Sequence, residues 1–417
     1  MTHPAANSIL SRRVRDPSAF ISGTGIRVMA TPLQTDICII GGGIAGLWLN
    51  ARLRQRGYHT LLLEADSLGG GQTIRSQGII HGGTKYALHG SLTQAAEAIA
   101  GMPLRWRACL EGDGELDLRG VQVLSQHHYL WSPGSLISKM AGFFASKALR
   151  GRVDAVSGEQ LPEVFRDPAF RGKVYRLAEL VLDVPSLLQR LAELAGDSLL
   201  GDRAERFDTP ADGGPQRLIC ASGREIQAQR FVLSAGAGSE ALLHSSGIHK
   251  PAMQRRPLQM VTVCAANLPP LYAHCLGASP KPRLTVTTHP LTNGEQCWYL
   301  GGELAEQGVT SDPQALIQRA ASELAELLPW VNLQGARWDT LRIDRAEPAQ
   351  SGLTRPDSAF VQQQDALLVC WPTKLALAPD LSDQVLDLLQ RQALQPGQHP
   401  PLPELPHPPL AKPVWEH

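Results

Sequence analysis

Gly41, Gly43 and Gly46 fall in the pattern Gly-x-Gly-x-x-Gly, between a short apolar run, residues 36–40, and a stretch of helical character, residues 47–56. Chemistry dictates what such a spacing can hold. Gly41 permits the tight turn, Gly43 lets backbone approach a pyrophosphate, and Gly46 lets helix and strand pack closely. The helix N-terminus turns unpaired N–H groups and partial positive charge toward the phosphates. A second apolar run, residues 60–64, ends in Glu64, eighteen residues after Gly46. A carboxylate there accepts hydrogen bonds from ribose hydroxyls and disfavours a 2′-phosphate. The expected ligand is a dinucleotide. No second fingerprint follows in mid-chain: Gly236-Ala-Gly238 comes after a strand-like run but lacks the third glycine.

Other chemistries find less support. The seven cysteines form no C-x-x-C pair and the thirteen histidines no H-E-x-x-H, so neither a zinc site nor a disulfide framework is expected. No metal is expected, and the cysteines read as reduced, buried thiols. Lys+Arg and Asp+Glu are both 39, so there is no basic excess to neutralise a nucleic acid. Hydrophobic residues at 43% and charged residues at 19% are a globular balance. No apolar run reaches the ~18–20 residues of a membrane span.

The elements that must position the fingerprint are legible. Strand 36–40, helix 47–56 and strand 60–64 make a βαβ unit, which specifies parallel strands with a helical crossover. Further on, 186–195 is helical in period and 231–235 is a buried strand. Residues 258–265, 283–288 and 296–300 are strands, the last two joined at Asn293-Gly294, a hairpin signal. Residues 315–328 form an amphipathic helix, 366–370 a buried strand and 382–392 a closing helix. Residues 396–417 hold eight prolines and read as a tail. Residues 1–34, rich in Arg and Ser/Thr, read as a leader outside the fold, with Met29 as an alternative start; an Arg-rich targeting peptide is the competing reading. Without an apolar signal core, the expected location is cytoplasmic. The 139–150 run mixes Phe143, Phe144 and Leu149 with Lys147 and Arg150; it reads as a packing helix, with peripheral membrane contact as the alternative.

The loop after Glu64 is polar and Gly-rich, with Arg75 set where a phosphate could be paired. Here the chain resembles the D-amino-acid oxidase superfamily of FAD-dependent oxidoreductases. Ser76-Gln-Gly-Ile-Ile-His-Gly-Gly-Thr-Lys-Tyr86 is similar to the glycerol-3-phosphate dehydrogenase and L-2-hydroxyglutarate oxidase branches. Asp183-Val-Pro185, Phe231-Val-Leu-Ser-Ala-Gly-Ala237 and Pro372-Thr-Lys-Leu-Ala-Leu-Ala-Pro379 resemble further landmarks of the superfamily.

The resemblance implies FAD as cofactor and an α/β fold: a Rossmann-type FAD-binding domain from 35–100, 152–248 and 338–394, with an inserted, mostly antiparallel substrate domain from 101–151 and 249–337. Gly41, Gly43, Gly46, Glu64 and Ala65 would hold the ADP half. Arg75, Ser76 and Gly78 would lie along the pyrophosphate and ribityl chain, with Gly236 and Ala237 near the phosphates. Lys374 and the N–H of Leu375 would face the N1 edge of the flavin, where reduction places negative charge. His81 would line the ring, a position covalently bonded to flavin in some related amine dehydrogenases. Trp338-Asp-Thr-Leu-Arg342 resembles a stretch whose Arg pairs a substrate carboxylate, although Thr340 and Ile343 depart from the pattern; Arg345 could add to or replace it. The alternative for Arg342 is an ion pair with Asp339 or Asp344. Tyr86 and His289 are weaker candidates, and the Arg255-Arg256 pair is expected to face solvent. The implied activity is hydride removal from a small carboxylate-bearing amine or 2-hydroxy acid, with His81, His289 or water taking the proton. Oxygen, a quinone or a partner protein would reoxidise the flavin. The alternatives are a polyol phosphate dehydrogenase and a noncatalytic flavoprotein subunit or assembly factor.

Overall fold

The computed structural model describes residues 31–83, 99–133, 153–208, 217–277, 279, 281–351 and 358–416. The described residues from Pro32 onward cluster as one compact unit. Tyr86, the 139–150 run and residues 1–30 lie outside the described residues.

The fingerprint strand Leu33–Ile40 is central to an eight-stranded sheet. It pairs in parallel with Thr60–Glu64 on one side and Glu225–Leu233 on the other. Leu199–Gly201 extends the sheet in parallel, and Leu367–Trp371 joins Glu225–Leu233, also in parallel. Residues 37–40 of the Leu33–Ile40 strand are apolar without a break because both of its faces are covered. Ile37 and Ile39 enter one core cluster while Cys38 and Ile40 enter another. Alternate side chains of a strand point to opposite faces, so one continuous apolar run serves both. Helix Ile44–Gln55 covers the first face together with Val184–Ala195 and Ala378–Arg391. Asp183 starts the second of these: its carboxylate accepts from the Ser186 N–H at 2.8 Å, and Pro185 occupies the first turn.

The second sheet also has eight strands and is antiparallel except for one parallel pair, Ala273–Leu276 with His128–Ser132. Helix Pro313–Leu327 packs on it through Leu316, Ala320, Leu324 and Leu327, a stripe at helical spacing. Each buried leucine contributes about 2 kcal/mol. The Asn293-Gly294 turn closes the hairpin between Pro282–Pro290 and Gln296–Gly301, with Gly294 at φ 85°.

Three expectations change. Strand Arg337–Pro348 pairs along its whole length with Met253–Ala265 in the second sheet, and Val153–Val156 and Lys173–Leu177 lie in that sheet as well. The expected boundaries had put these segments with the nucleotide-binding domain, because a strand's own pattern does not name its partner. The cysteines are not all reduced: Cys264 and Cys297 face each other across two strands as a disulfide, 33 residues apart in sequence. The other five are free and buried. The proline-rich tail is a packed strap. Gly397 and His399 donate to the buried Asp36 at 2.9 and 2.7 Å. The Gly201 N–H donates to the Pro406 carbonyl, and Leu68 and Ala411 bond around a bridge at Leu410. Trp415 then stacks on His289 of the second sheet at 3.8 Å.

Candidate active site

The βαβ turn opens one wall of a cavity of about 1110 Å³ that runs from the first sheet to the second. Gly41 has φ +110°, and a Cβ there would sit 2.6 Å from Ala235 backbone. A Cβ on Gly46 would sit 2.0 Å from the Gly41 carbonyl oxygen. These two glycines therefore serve the turn and the helix–strand contact. Gly43 is different: its missing Cβ would meet only the Thr73 Oγ1, at 3.4 Å, and the residue lines the cavity. Helix Ile44–Gln55 has no side-chain cap at Gly43 and no acid in its first turn. Its N-terminal positive end faces the cavity, with the Ile44 N–H donating to Thr73 Oγ1 at 3.0 Å.

Glu64 closes the strand beside it and lines the cavity. Its carboxylate accepts the Gly42 N–H at 2.8 Å and the Asp66 N–H at 2.9 Å, which fixes its position. Ala65, Ser76, Gly236 and Ala237 share the lining. Ser76 Oγ is buried there with no hydrogen-bond partner. A helix N-terminus, a glycine backbone face and an orphaned hydroxyl along one cavity fit a dinucleotide such as FAD. Arg75 also lines the cavity, but its guanidinium donates to the carbonyls of Gly70 and Gly71 and so shapes its own loop. Gly78 does not line it. A Cβ on Gly78 would sit 2.2 Å from the Leu182 carbonyl oxygen, at φ +70°, so its role is strand packing.

The far wall gathers the residues expected at the ring. Lys374 is buried and begins a short 3-10 turn, Leu375–Leu377, that continues into helix Ala378–Arg391. Lys374 and Leu375 line the cavity together, one bringing an ammonium and both a helix-entry backbone. Trp371, at the end of the preceding strand, donates to the Gly236 carbonyl at 3.4 Å, tying the two turns together. Gln77 crosses between sheets, donating to the Tyr299 carbonyl at 2.9 Å, and the Tyr299 hydroxyl donates back to the Arg75 carbonyl.

His81 lies in the lining, with Nδ1 3.2 Å from Glu179 Oε2. Glu179 is buried, and its other oxygen accepts the Gly82 N–H at 3.0 Å. The ring of His274, also in the lining, lies 6.1 Å from that of His81 at an interplanar angle of 12°. His81, Glu179 and His274 bring one ligand atom each within 4.8 Å of one another, the single such trio among the described residues.

Arg342 and Arg345 both line the cavity from strand Arg337–Pro348. Arg342 is half exposed and paired with Asp344 at 3.3 Å, the ion-pair alternative expected from sequence. Arg345 is more buried and donates to the Arg256 carbonyl at 3.2 Å. Arg256 does not simply face solvent. It forms a two-pronged pair with the buried Glu347, both contacts 2.9 Å, and lines the cavity. Arg255, its neighbour, is exposed as expected. His289 is fully buried and outside the lining; burial lowers its pKa to about 3 and keeps it neutral. It is a core histidine covered by Trp415.

Sequence reading missed Glu179, His274 and Arg256. Glu179 carries a weak local signal, a lone acid before the apolar run Leu180–Leu182. Its meaning comes from register: Ile80 pairs with Leu180 and Ile79 with Val181, so the next antiparallel step sets His81 opposite Glu179.

A cavity that joins a βαβ dinucleotide turn to an antiparallel sheet carrying arginines and histidines defines a flavoprotein oxidoreductase site. The chain belongs to the DAO family, FAD-dependent oxidoreductases, whose model matches residues 36–370. A probable FAD-dependent oxidoreductase of Pseudomonas aeruginosa, PA4991, is 63% identical over 389 residues, 93% of this chain and 99% of that protein. The crystal structure of PA4991 matches with a TM-score of 0.82 at 58% identity, again covering 93% and 99%. Glycine oxidase from Geobacillus kaustophilus shares the fold at a TM-score of 0.62 and 17% identity, over 86% of this chain and 95% of that one. The aerobic glycerol-3-phosphate dehydrogenase of Escherichia coli is 38% identical over 65 residues, 16% of this chain and 13% of that protein. Among the described residues, no helix is long and apolar enough to cross a membrane.

Proposed function

We propose that this FAD-dependent oxidoreductase removes a hydride from a small carboxylate-bearing amine or 2-hydroxy acid. The observation that carries the reading is that His81 and Arg345 share the lining of the cavity that the dinucleotide turn opens. When bound, FAD supplies the two-electron acceptor. Gly41, Gly43, Glu64 and Ser76 would hold its ADP and pyrophosphate parts, and Lys374 and Leu375 its ring. Arg345, assisted by Arg342, binds the substrate carboxylate; a guanidinium suits that planar anion. His81 accepts the proton from the substrate hydroxyl or amine at Nε2, because Nδ1 is turned to Glu179. Oxygen, a quinone or a partner protein regenerates the oxidised state.

The test is anaerobic addition of small amino acids, amines and 2-hydroxy acids to the purified yellow protein, following the flavin band near ~450 nm. Bleaching by one class names the donor. Arg345→Ala should then raise KM about 30–100-fold, the loss of one charge-assisted pair worth ~2–3 kcal/mol. Arg342→Ala should change it less, since Asp344 already occupies that guanidinium. Unchanged kinetics in both variants would remove the carboxylate anchor. A second reading, a polyol phosphate dehydrogenase, draws on the local match to glycerol-3-phosphate dehydrogenase. Bleaching by glycerol phosphates and not by carboxylates would establish it.

A further inference from the structure

Gln77 follows the orphaned Ser76 in the cavity lining and reaches across to the second sheet. Its carboxamide Nε2 donates to the Tyr299 carbonyl at 2.9 Å and to Thr287 Oγ1 at 3.3 Å. A carbonyl oxygen only accepts, so the NH2 half must face Tyr299 and the flipped amide is excluded. Thr287 is fully buried. Its hydroxyl lies 3.0 Å from Nε2 of the buried His289, over which Trp415 stacks at 3.8 Å. The anchor is therefore backed by packed core. Glutamine is among the side chains that lose most rotamer freedom when fixed, so two anchors on one carboxamide hold it against a strong tendency to move. Both of its hydrogens are spent on the sheet; what remains is the acceptor, Oε1. That oxygen is turned to Gly301, where a Cβ would sit 2.9 Å from it and 3.1 Å from Met260 Cε. Gly301 and Met260 line the cavity, whereas Thr287 and Tyr299 do not. The anchored half of the amide thus faces protein. The accepting half faces the cavity, in space kept open by the missing side chain of Gly301.

We propose that Gln77 is a flavin-facing residue whose fixed Oε1 accepts a hydrogen bond from the N–H that reduction creates at flavin N5. The sheet beside Oε1 names the edge of the ring. Met260 belongs to strand Met253–Ala265, which also carries Arg256 and pairs with the strand carrying Arg342 and Arg345. The reacting nitrogen of the ring must be turned to the substrate, so the placement rests on the reading above that the second sheet is the substrate side. Before reduction N5 bears a lone pair, which a carboxamide oxygen repels; afterwards it bears a donor. An acceptor that cannot rotate away therefore favours the reduced ring.

The test is the flavin midpoint potential of the holoprotein, measured by spectroelectrochemical titration without substrate, in wild type, Gln77→Met and Gly301→Ala. Methionine matches glutamine in length and lacks the carboxamide oxygen. Gln77→Met should keep FAD affinity within about tenfold and lower the reduced-to-oxidised equilibrium at least about tenfold, a fall of ~30 mV for two electrons. Gly301→Ala keeps the carboxamide but presses a methyl against Oε1. It should move the potential the same way, by about threefold or more, ~15 mV. An unmoved potential in either folded, FAD-loaded variant overturns the proposal. So does a Gln77→Met protein that folds yet no longer takes up FAD, which would make Gln77 part of the loop's scaffold. Should Gln77→Met fail to fold, Gly301→Ala decides alone. Failure of every carboxylate donor to bleach the flavin would defeat the substrate reading and leave the comparison of potentials as it stands.

Discussion

Gly43 and Gly46 belong to one motif yet should fail in opposite ways when replaced by Ala. At Gly46 the new methyl would lie 2.0 Å from the Gly41 carbonyl oxygen. Contact distances near ~3.2 Å require the turn and helix to separate by about 1 Å, an overpacking cost of roughly 1–3 kcal/mol. Gly41 cannot give way freely, because Ala235 backbone sits against it. At Gly43 the backbone is extended, at φ −77° and ψ −178°, which Ala adopts without strain, and the nearest atom would be 3.4 Å away. The methyl there projects into the cavity and holds a pyrophosphate off the helix end. Losing two charge-assisted hydrogen bonds removes about 3 kcal/mol or more, at least ~100-fold in FAD affinity. The assay has two parts: urea unfolding of the FAD-free protein, and FAD titration by fluorescence. Gly43→Ala should unfold within ~0.5 kcal/mol of wild type and bind FAD far more weakly. Gly46→Ala should lose stability before any ligand is added. Wild-type FAD affinity in Gly43→Ala, or an apo-protein destabilised as much as Gly46→Ala, would refute the division of labour between the two glycines.

Lys374→Met should keep the fold and the cofactor but lower the flavin midpoint potential by about 30 mV, the two-electron equivalent of ~1.4 kcal/mol; an unchanged potential in a spectroelectrochemical titration would place the ammonium away from the ring. Arg256→Met strands the Glu347 carboxylate, whose side chain is 2% exposed, and should cost about 3 kcal/mol in urea unfolding, with Arg256→Met/Glu347→Leu recovering most of it. His289 is held neutral by burial down to about pH 3, while in the unfolded chain it protonates near 6.5. The unfolded state therefore binds the extra proton, and this residue's contribution falls by about 1.4 kcal/mol per pH unit as pH drops below 6.5, levelling near 3. His289→Phe should flatten stability against pH by one proton across that window; identical slopes would show that His289 titrates normally.

The nucleotide half of the site was legible because its signals are local. Strand, turn, helix and acid follow within thirty residues, and Gly41 and Gly46 answer to backbone demands nearby. The helix at Asp183 was legible for the same reason, since cap and proline are consecutive. Arg342 shows the limit. The stretch around it resembles one whose Arg pairs a substrate carboxylate, but Asp344, two places along on the same strand face and one of the alternatives, pairs with it. Arg256 was misread because its partner Glu347 is 91 residues away and meets it only through the long pairing of two strands. Glu179 became meaningful only through antiparallel register with residues a hundred positions earlier. The strap was hidden by composition. Eight prolines in 396–417 suggest an unpacked tail, yet extended backbone without regular hydrogen bonding can still run along a groove and place a Trp at its far end.

That strap touches the molecule at well-separated stations: Asp36 at the base of the central strand, Gly201 at the sheet edge, Leu68 beside the dinucleotide turn, and His289 within the second sheet. A segment anchored to both sheets acts as a tether of fixed length. Swinging one sheet away from the other would have to pull Trp415 from its stack or strip Leu68 of its bonds. Entry to the cavity is then a matter of loops and side chains rather than a hinge. The tether also joins the strap to the cofactor site: Leu68 belongs to the loop after Glu64 and bonds to Pro409 and Ala411. Amide exchange at Ala411, far along the chain from the fingerprint, should slow when the cofactor binds.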